Sequence, residues 1–280
     1  MSYKSILVQV DESPRCVARI DAALDLAKRF EAHLTALAMV QPVYVPHTAR
    51  TFLGDDFERH QATLARERAQ RVLAVFGERA RIAGATSVET RSATGDPVYA
   101  TAFHARYHDL AIIGQADPDD DIGQWRDPGD FQGSAVLGLS RPVLVIPYAG
   151  KFETIGRHIV VAWDAGREAA RAVTDALPML KRAQRVTLLV INAEKAGSHG
   201  AEPGADIALF LARHDVKVEV AQEHSGSLDV GNFLLSRLAD SGADLLVMGA
   251  YGHSRLRELV LGGMTRTILD SMTIPVLMSH

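Results

Sequence analysis

Residues 6–11 (ILVQVD) decide the fold, because the same pattern returns at residues 159–164 (IVVAWD). Two further blocks return in the same order, namely 109–114 (DLAIIG) as 244–249 (DLLVMG) and 142–145 (PVLV) as 275–278 (PVLM). Three matches in one order indicate an internal duplication. We therefore predict two tandem domains, 1–149 and 150–280, joined by a Gly-containing segment directly after the last apolar block of the first domain.

Each repeated block is a continuous run of Ile, Leu and Val, which is typical of parallel strands covered on both faces. Amphipathic helical patterns separate the blocks. This alternation predicts right-handed crossovers and an α/β fold with a doubly wound, five-stranded parallel sheet in each domain. The third strands, 88–91 and 216–220, alternate polar and apolar residues, which predicts sheet edges. The first domain also carries extra residues at 41–76, a loop followed by a charged helix.

The composition excludes several classes of protein. The chain has 280 residues, 47% of them hydrophobic, and its 30 Lys+Arg against 34 Asp+Glu give a net charge of −4. That balance argues against binding to nucleic acid or to an anionic membrane. One cysteine, Cys16, rules out an internal disulfide and a zinc site with several thiolates, and we predict no metal site. Without a signal-peptide pattern or a long apolar run, we expect a cytoplasmic protein.

Glycines in the second domain indicate where a ligand binds. Open parallel sheets bind ligands beyond the carboxyl ends of their strands, and there Asp164 ends strand one and Gly249 ends strand four. The pattern Gly249-x₂-Gly252-x₉-Gly262 follows, and residues 263–265 (GMT) open the last helix. Glycine lets backbone amides approach an oxyanion, and a helix start favours phosphate. The same glycines are also compatible with simple turns, so the residues alone leave both readings open.

This glycine spacing, with Asp164 on strand one and 275–278 as the last strand, resembles the universal stress protein family. The resemblance covers both domains and implies the adenine-nucleotide alpha-hydrolase-like fold, with strand order 3-2-1-4-5. In ATP-binding members of that family, the glycine loop holds the triphosphate. The resemblance thus implies ATP as the ligand, with or without Mg²⁺, Asp164 at the ribose or metal, and the Ile191 main chain near adenine.

The resemblance also assigns residues to the phosphates. The set comprises Gly249, Gly252, Gly262 and Gly263, with His253 beside them and Met264 and Thr265 in the first turn of the last helix. The family's hydroxyl residue after the third glycine is replaced here by Gly263, and Thr265 supplies the nearest hydroxyl. The backbone cradle is retained, whereas one side-chain donor is lost or displaced, which is worth ~1 kcal/mol.

The first domain departs further from the family pattern. Asp11 and Gly114 match Asp164 and Gly249, but Asp117 replaces the second glycine and begins the acidic run 117–121 (DPDDD). Such a cluster repels a triphosphate unless a metal intervenes. We therefore predict that the first domain is a degenerate structural or regulatory partner.

Three functions compete at this point. The leading hypothesis is a stress-response sensor or protective module that binds ATP in its second domain, without fast catalysis, because no positioned base or nucleophile is evident. A slow ATPase would need a group that orients water, and His253 is the candidate. A purely structural partner would leave both sites empty. In each case we expect the last strands of the domains to pair as an intramolecular pseudo-dimer, with a further homodimer left open.

Overall fold

The computed structural model describes residues 2–40, 47–117, 128–196, 202–251 and 263–280. The first repeat contains β1 (Ser5–Val10), α1 (Cys16–Phe30), β2 (His33–Val40), α2 (His47–Ile82), β3 (Val88–Thr94), α3 (Pro97–Ala105), β4 (Leu110–Gly114), α4 (Pro128–Gly138) and β5 (Val143–Ile146). The second repeat contains β6 (His158–Ala162), α5 (Arg167–Leu180), β7 (Arg185–Ile191), α6 (Ala193–Ala196), α7 (Ala205–Arg213), β8 (Glu219–Glu223), α8 (Val230–Ser241), β9 (Leu245–Gly249), α9 (Gly263–Ser271) and β10 (Val276–Ser279). The predicted α/β alternation is confirmed.

The strands form one sheet of ten, in the order β3-β2-β1-β4-β5-β10-β9-β6-β7-β8. Each repeat contributes five parallel strands in the predicted order 3-2-1-4-5. The two sets meet at β5 and β10, which run antiparallel with Leu144 opposite Leu277. The prediction of two five-stranded sheets is therefore right in order and direction, and the structure joins them edge to edge.

Helices cover both faces of the sheet, which explains why the strands are continuous apolar runs. One buried cluster packs α1, α2, α5 and α7 against side chains such as Ile6 and Val8. The other packs α3, α4, α8 and α9 against side chains such as Leu7. Neighbouring residues of one strand point to opposite faces, so Leu7 lies on the other side of the sheet from Ile6 and Val8. Helices therefore shield both faces of the sheet from water. A ligand can reach the sheet at the ends of the strands, where polar groups lie.

A repeated aspartate fixes the start of the first strand in each repeat. Asp109 Oδ2 accepts hydrogen bonds from the amides of Lys4 (2.7 Å) and Ser5 (3.0 Å). Asp244 does the same for the amides of Arg157 (3.0 Å) and His158 (2.9 Å). These bonds connect the starts of neighbouring strands and explain why this acid stands at the same place in both repeated blocks.

The third strands lie at the two edges of the sheet, as predicted, but their bounds differ: β3 covers Val88–Thr94 and continues three residues beyond the predicted 88–91. The apolar alternation placed the strand of the second repeat at 216–220, whereas β8 covers Glu219–Glu223. Val216 instead ends the preceding helical turn: its amide donates to the Leu211 carbonyl at 3.0 Å and its side chain is buried. The extra residues of the first repeat contribute the long helix α2, and 41–46 lie outside the described residues.

Among the helices that the structure describes, none combines the length and the apolar character needed to cross a bilayer.

The joint between the repeats gives a test of cooperativity. Leu277 is fully buried opposite Leu144, so Leu277→Ala should lower the free energy of unfolding by about 2–5 kcal/mol. Because both repeats share the sheet, we expect a single unfolding transition in urea. Circular dichroism and tryptophan fluorescence both monitor it. Leu228→Ala, at a residue that is 58% exposed, is the control and should stay within about 0.5 kcal/mol. Two separate transitions, with only one displaced, would contradict the shared core.

Candidate functional site

The predicted site residues of the second repeat meet at one edge of the sheet. Because β6, β7 and β9 are parallel neighbours, their carboxyl ends lie together. Asp164 follows β6, Ile191 ends β7 and Gly249 ends β9. The chain leaves β6 toward β7 and later returns to the other side at β9, so the crevice between β6 and β9 is a topological switch point. Crevices of this kind are where open α/β sheets hold ligands.

The backbone at this edge is strained. Ala165, Asn192 and Tyr251 follow β6, β7 and β9, and each has a positive φ, of 61°, 55° and 66°. Left-handed backbone costs a residue with a side chain on the order of 1–2 kcal/mol, least for asparagine. In the described part of the first repeat, the residue with a side chain and a positive φ is Glu31, which ends helix α1 rather than a strand. Strained residues that converge on one crevice are typical of binding sites.

Side chains hold these strained turns in place. Asp164 is half-buried, and its Oδ1 accepts the Gly166 amide at 2.8 Å, directly before α5. Asn192 binds Ser225 twice: Nδ2 donates to the serine Oγ at 2.9 Å, and Oδ1 accepts the serine amide at 3.1 Å. The two hydrogen bonds between Asn192 and Ser225 connect the end of β7 to the end of β8. Sequence analysis missed Asn192, although an asparagine directly after a strand is itself a signal for a left-handed turn.

Gly249 has a packing role that the sequence did not predict. A Cβ at this position would lie 2.6 Å from the carbonyl carbon of Glu168 and 2.9 Å from its Cβ. The first turn of α5 therefore lies directly on the end of β9. This close contact between helix and strand requires a residue without a side chain at position 249. The predicted contact of Gly249 with phosphate stays a prediction.

The first turn of α9 forms the other wall of the site. Gly263 begins the helix, and a Cβ added there would meet no atom of the described residues within 4 Å; Met264 packs half-buried against the core. The Thr265 hydroxyl is buried and accepts the Tyr251 amide at 3.3 Å, so it connects the turn after β9 to the helix. Its predicted role as a phosphate donor stays a prediction. Gly252, His253 and Gly262 lie outside the described residues.

The corresponding crevice in the first repeat is filled by Arg19. Its side chain is buried, and Nη2 lies 2.6 Å from Asp11 Oδ2. A Cβ on Gly114 would lie 3.1 Å from the guanidinium carbon, so the side chain crosses the crevice from Asp11 to Gly114. Burial opposes the charged form, but the Asp11 carboxylate and the neighbouring Cys16 together outweigh it and raise the pKa of Arg19. In the second repeat, the residue that follows Asp164 by eight positions, as Arg19 follows Asp11, is Ala172.

Other charged groups of the first crevice are also engaged. Arg15 Nε lies 3.6 Å from Asp117 Oδ2, while 118–121 lie outside the described residues. Cys16 Sγ accepts the Asp11 amide at 3.3 Å, and burial raises the pKa of this thiol. Over the described ranges, no group of three or more His, Cys, Asp or Glu side chains is placed to hold a metal ion.

Comparison with known proteins matches both repeats to one family. The model of the universal stress protein family matches residues 2–114 and 156–280, which together make up most of the chain. The chain is a member of the universal stress protein family. Universal stress protein Slr1230 from Synechocystis is 26% identical over 229 residues, covering 79% of this chain and 75% of the relative.

Solved structures share the tandem fold. A universal stress protein from Archaeoglobus fulgidus superimposes with a TM-score of 0.74 at 16% identity, covering 98% of this chain and 95% of the other. A functionally unknown protein from Pseudomonas aeruginosa PAO1 superimposes with a TM-score of 0.60 at 18% identity, covering 99% and 92%. At these identities the likeness establishes the fold, including the predicted adenine-nucleotide alpha-hydrolase-like class.

Two glycines of the site predict opposite responses to an added methyl group. Gly249→Ala forces α5 away from β9 and should lower the free energy of unfolding by about 1–3 kcal/mol. Gly263→Ala, the control, finds open space at the start of α9, so stability should be unchanged or slightly higher. Thermal denaturation without nucleotide measures both. Equal melting temperatures for the two variants would contradict the close contact between Gly249 and α5.

Proposed function

We propose that this universal stress protein binds ATP in its second repeat alone and acts as a stress-response sensor or protective module. The observation that carries the proposal is the contrast between two equivalent crevices. Arg19 fills the first, whereas Ala172, which follows Asp164 by eight residues as Arg19 follows Asp11, is too short to do the same in the second. A triphosphate needs the second arrangement, because the buried ion pair of Arg19 and Asp11 already takes up the first crevice.

Each part of the ligand has a proposed counterpart. Amides at the start of α9, from Gly263 to Thr265, meet the phosphates together with Gly249, Gly252, His253 and Gly262. Asp164, held by the Gly166 amide, accepts hydrogen bonds from ribose hydroxyls or binds Mg²⁺. The Ile191 main chain, next to the strained Asn192, lies toward adenine.

The proposal also assigns the first repeat and the setting. We take residues 1–149 and 150–280 as the two domains and the β5–β10 contact as the joint of an intramolecular pseudo-dimer. The first domain is then a structural partner rather than a second nucleotide site. A chain with one cysteine suits the reducing cytoplasm, where ATP is available.

Calorimetric titration of the full chain with ATP tests this asymmetry. We expect a stoichiometry of one per chain. Asp164→Asn, which keeps an oxygen for the Gly166 amide but loses the charge, should weaken binding by about tenfold, equivalent to ~1.4 kcal/mol. Asp11→Asn is the matched change in the first repeat and should leave the affinity for ATP unchanged.

Two outcomes would contradict the proposal. One is a stoichiometry of two, which would mean that the first crevice opens despite Arg19. The other is weaker binding after Asp11→Asn with none after Asp164→Asn, which would place the nucleotide in the wrong repeat.

A further inference from the structure

Gln115 stands in the first repeat where the second repeat begins its glycine loop. It follows Gly114 as Ala250 follows Gly249, and the backbones of both residues make the same contact. The Gln115 amide donates to the Ile146 carbonyl at the end of β5 (2.8 Å), and the Ala250 amide donates to the Ser279 carbonyl at the end of β10 (2.9 Å). The two positions are therefore structurally equivalent, and only the first carries a long polar side chain.

That side chain crosses into the second repeat. Its Nε2 donates to the carbonyls of Leu269 (2.8 Å) and Asp270 (3.2 Å) in the last turn of α9, and its Oε1 accepts the Tyr148 amide at 3.1 Å. Gln115 is only 8% exposed. Gln132 Nε2 in turn donates to the Gly114 carbonyl at 3.1 Å and fixes the backbone from which Gln115 extends.

The direction of the strands explains why this contact exists. Because β5 and β10 run antiparallel, the carboxyl edge of the first repeat lies beside the amino edge of the second. Helix α9 starts at the carboxyl edge of its own repeat and ends at the amino edge, next to Gln115. The last carbonyls of a helix lack partners within it and carry its partial negative charge, so a buried amide donor suits them.

We propose that Gln115 is a positioning residue through which the first repeat holds α9 in the orientation that nucleotide binding requires. The inference rests on the proposed function, since the first turn of α9 is the proposed phosphate contact. Apolar contacts of Ile268 and Leu269 hold the helix against the sheet. The Gln115 hydrogen bonds fix the position of its last turn, and the helix of nine residues transmits that position to Gly263.

The test compares Gln115→Met, which fills similar volume without an amide, with Tyr3→Phe. The Tyr3 hydroxyl donates to the Asp175 carbonyl at 2.7 Å, so this control also removes a hydrogen bond between the repeats, but one that does not involve α9. Hydrogen exchange of residues 263–271 and the dissociation constant for ATP are measured on both full-length variants. We expect Gln115→Met to speed exchange in α9 by about tenfold and to raise the dissociation constant by about fivefold or more. Tyr3→Phe should change neither.

The two readouts separate this inference from the proposed function. If the unaltered protein binds no ATP, the proposed function is wrong, and exchange in α9 still decides the role of Gln115. Unchanged exchange after Gln115→Met, or equal acceleration by Tyr3→Phe, overturns that role. Unchanged affinity in a protein that does bind ATP overturns the link to the site. Should Gln115→Met not fold, Gln115→Asn, whose amide is one methylene too short, carries the same comparison.

Discussion

The antiparallel hydrogen bonding of β5 with β10 is the constraint on which the rest of the molecule depends. Each set of five parallel strands ends on one side in an apolar strand, and pairing removes both of these edges from water. The pairing also fixes direction: the carboxyl ends of one repeat lie beside the amino ends of the other. The two crevices consequently lie at opposite ends of the strands in the ten-stranded sheet.

Duplication followed by divergence has placed a buried arginine in the crevice of the first repeat and an alanine at the corresponding sequence position of the second. The Arg19 guanidinium takes the place that a bound cation would have beside Asp11. It neutralises the carboxylate at the end of the strand and packs against Gly114 on the opposite side. Such a buried pair adds little net stability, but losing either partner is expensive because the other remains desolvated. Charge repulsion by the acidic run after Gly114 was the expected reason for degeneracy. In the structure, the Arg19 side chain also takes up space between Asp11 and Gly114.

The sequence predicted what local patterns control. Continuous apolar runs identified the strands, and the resemblance to the universal stress protein family supplied the strand order of both repeats. A pattern of alternation failed at Val216, because a buried residue that closes a helix looks the same in sequence as one in a strand. Arg19 was missed for another reason: a cation in the middle of an amphipathic helix usually faces water, and only the packed structure brings it to Gly114. The sequence predicts a ligand contact at Gly249 but gives no sign of the close packing on α5, which by itself requires a glycine there.

The outer strands β3 and β8 limit how copies of this protein can meet. Charged side chains alternate along them: Glu89 and Arg91 on one, Glu219 and Glu223 on the other. Arg91 and Arg185 bind the nearby glutamates. A further strand added to either end would have to desolvate these ionic groups, which disfavours lateral growth into a filament. Assembly of two chains would therefore proceed through helix-covered faces and leave the sheet finite.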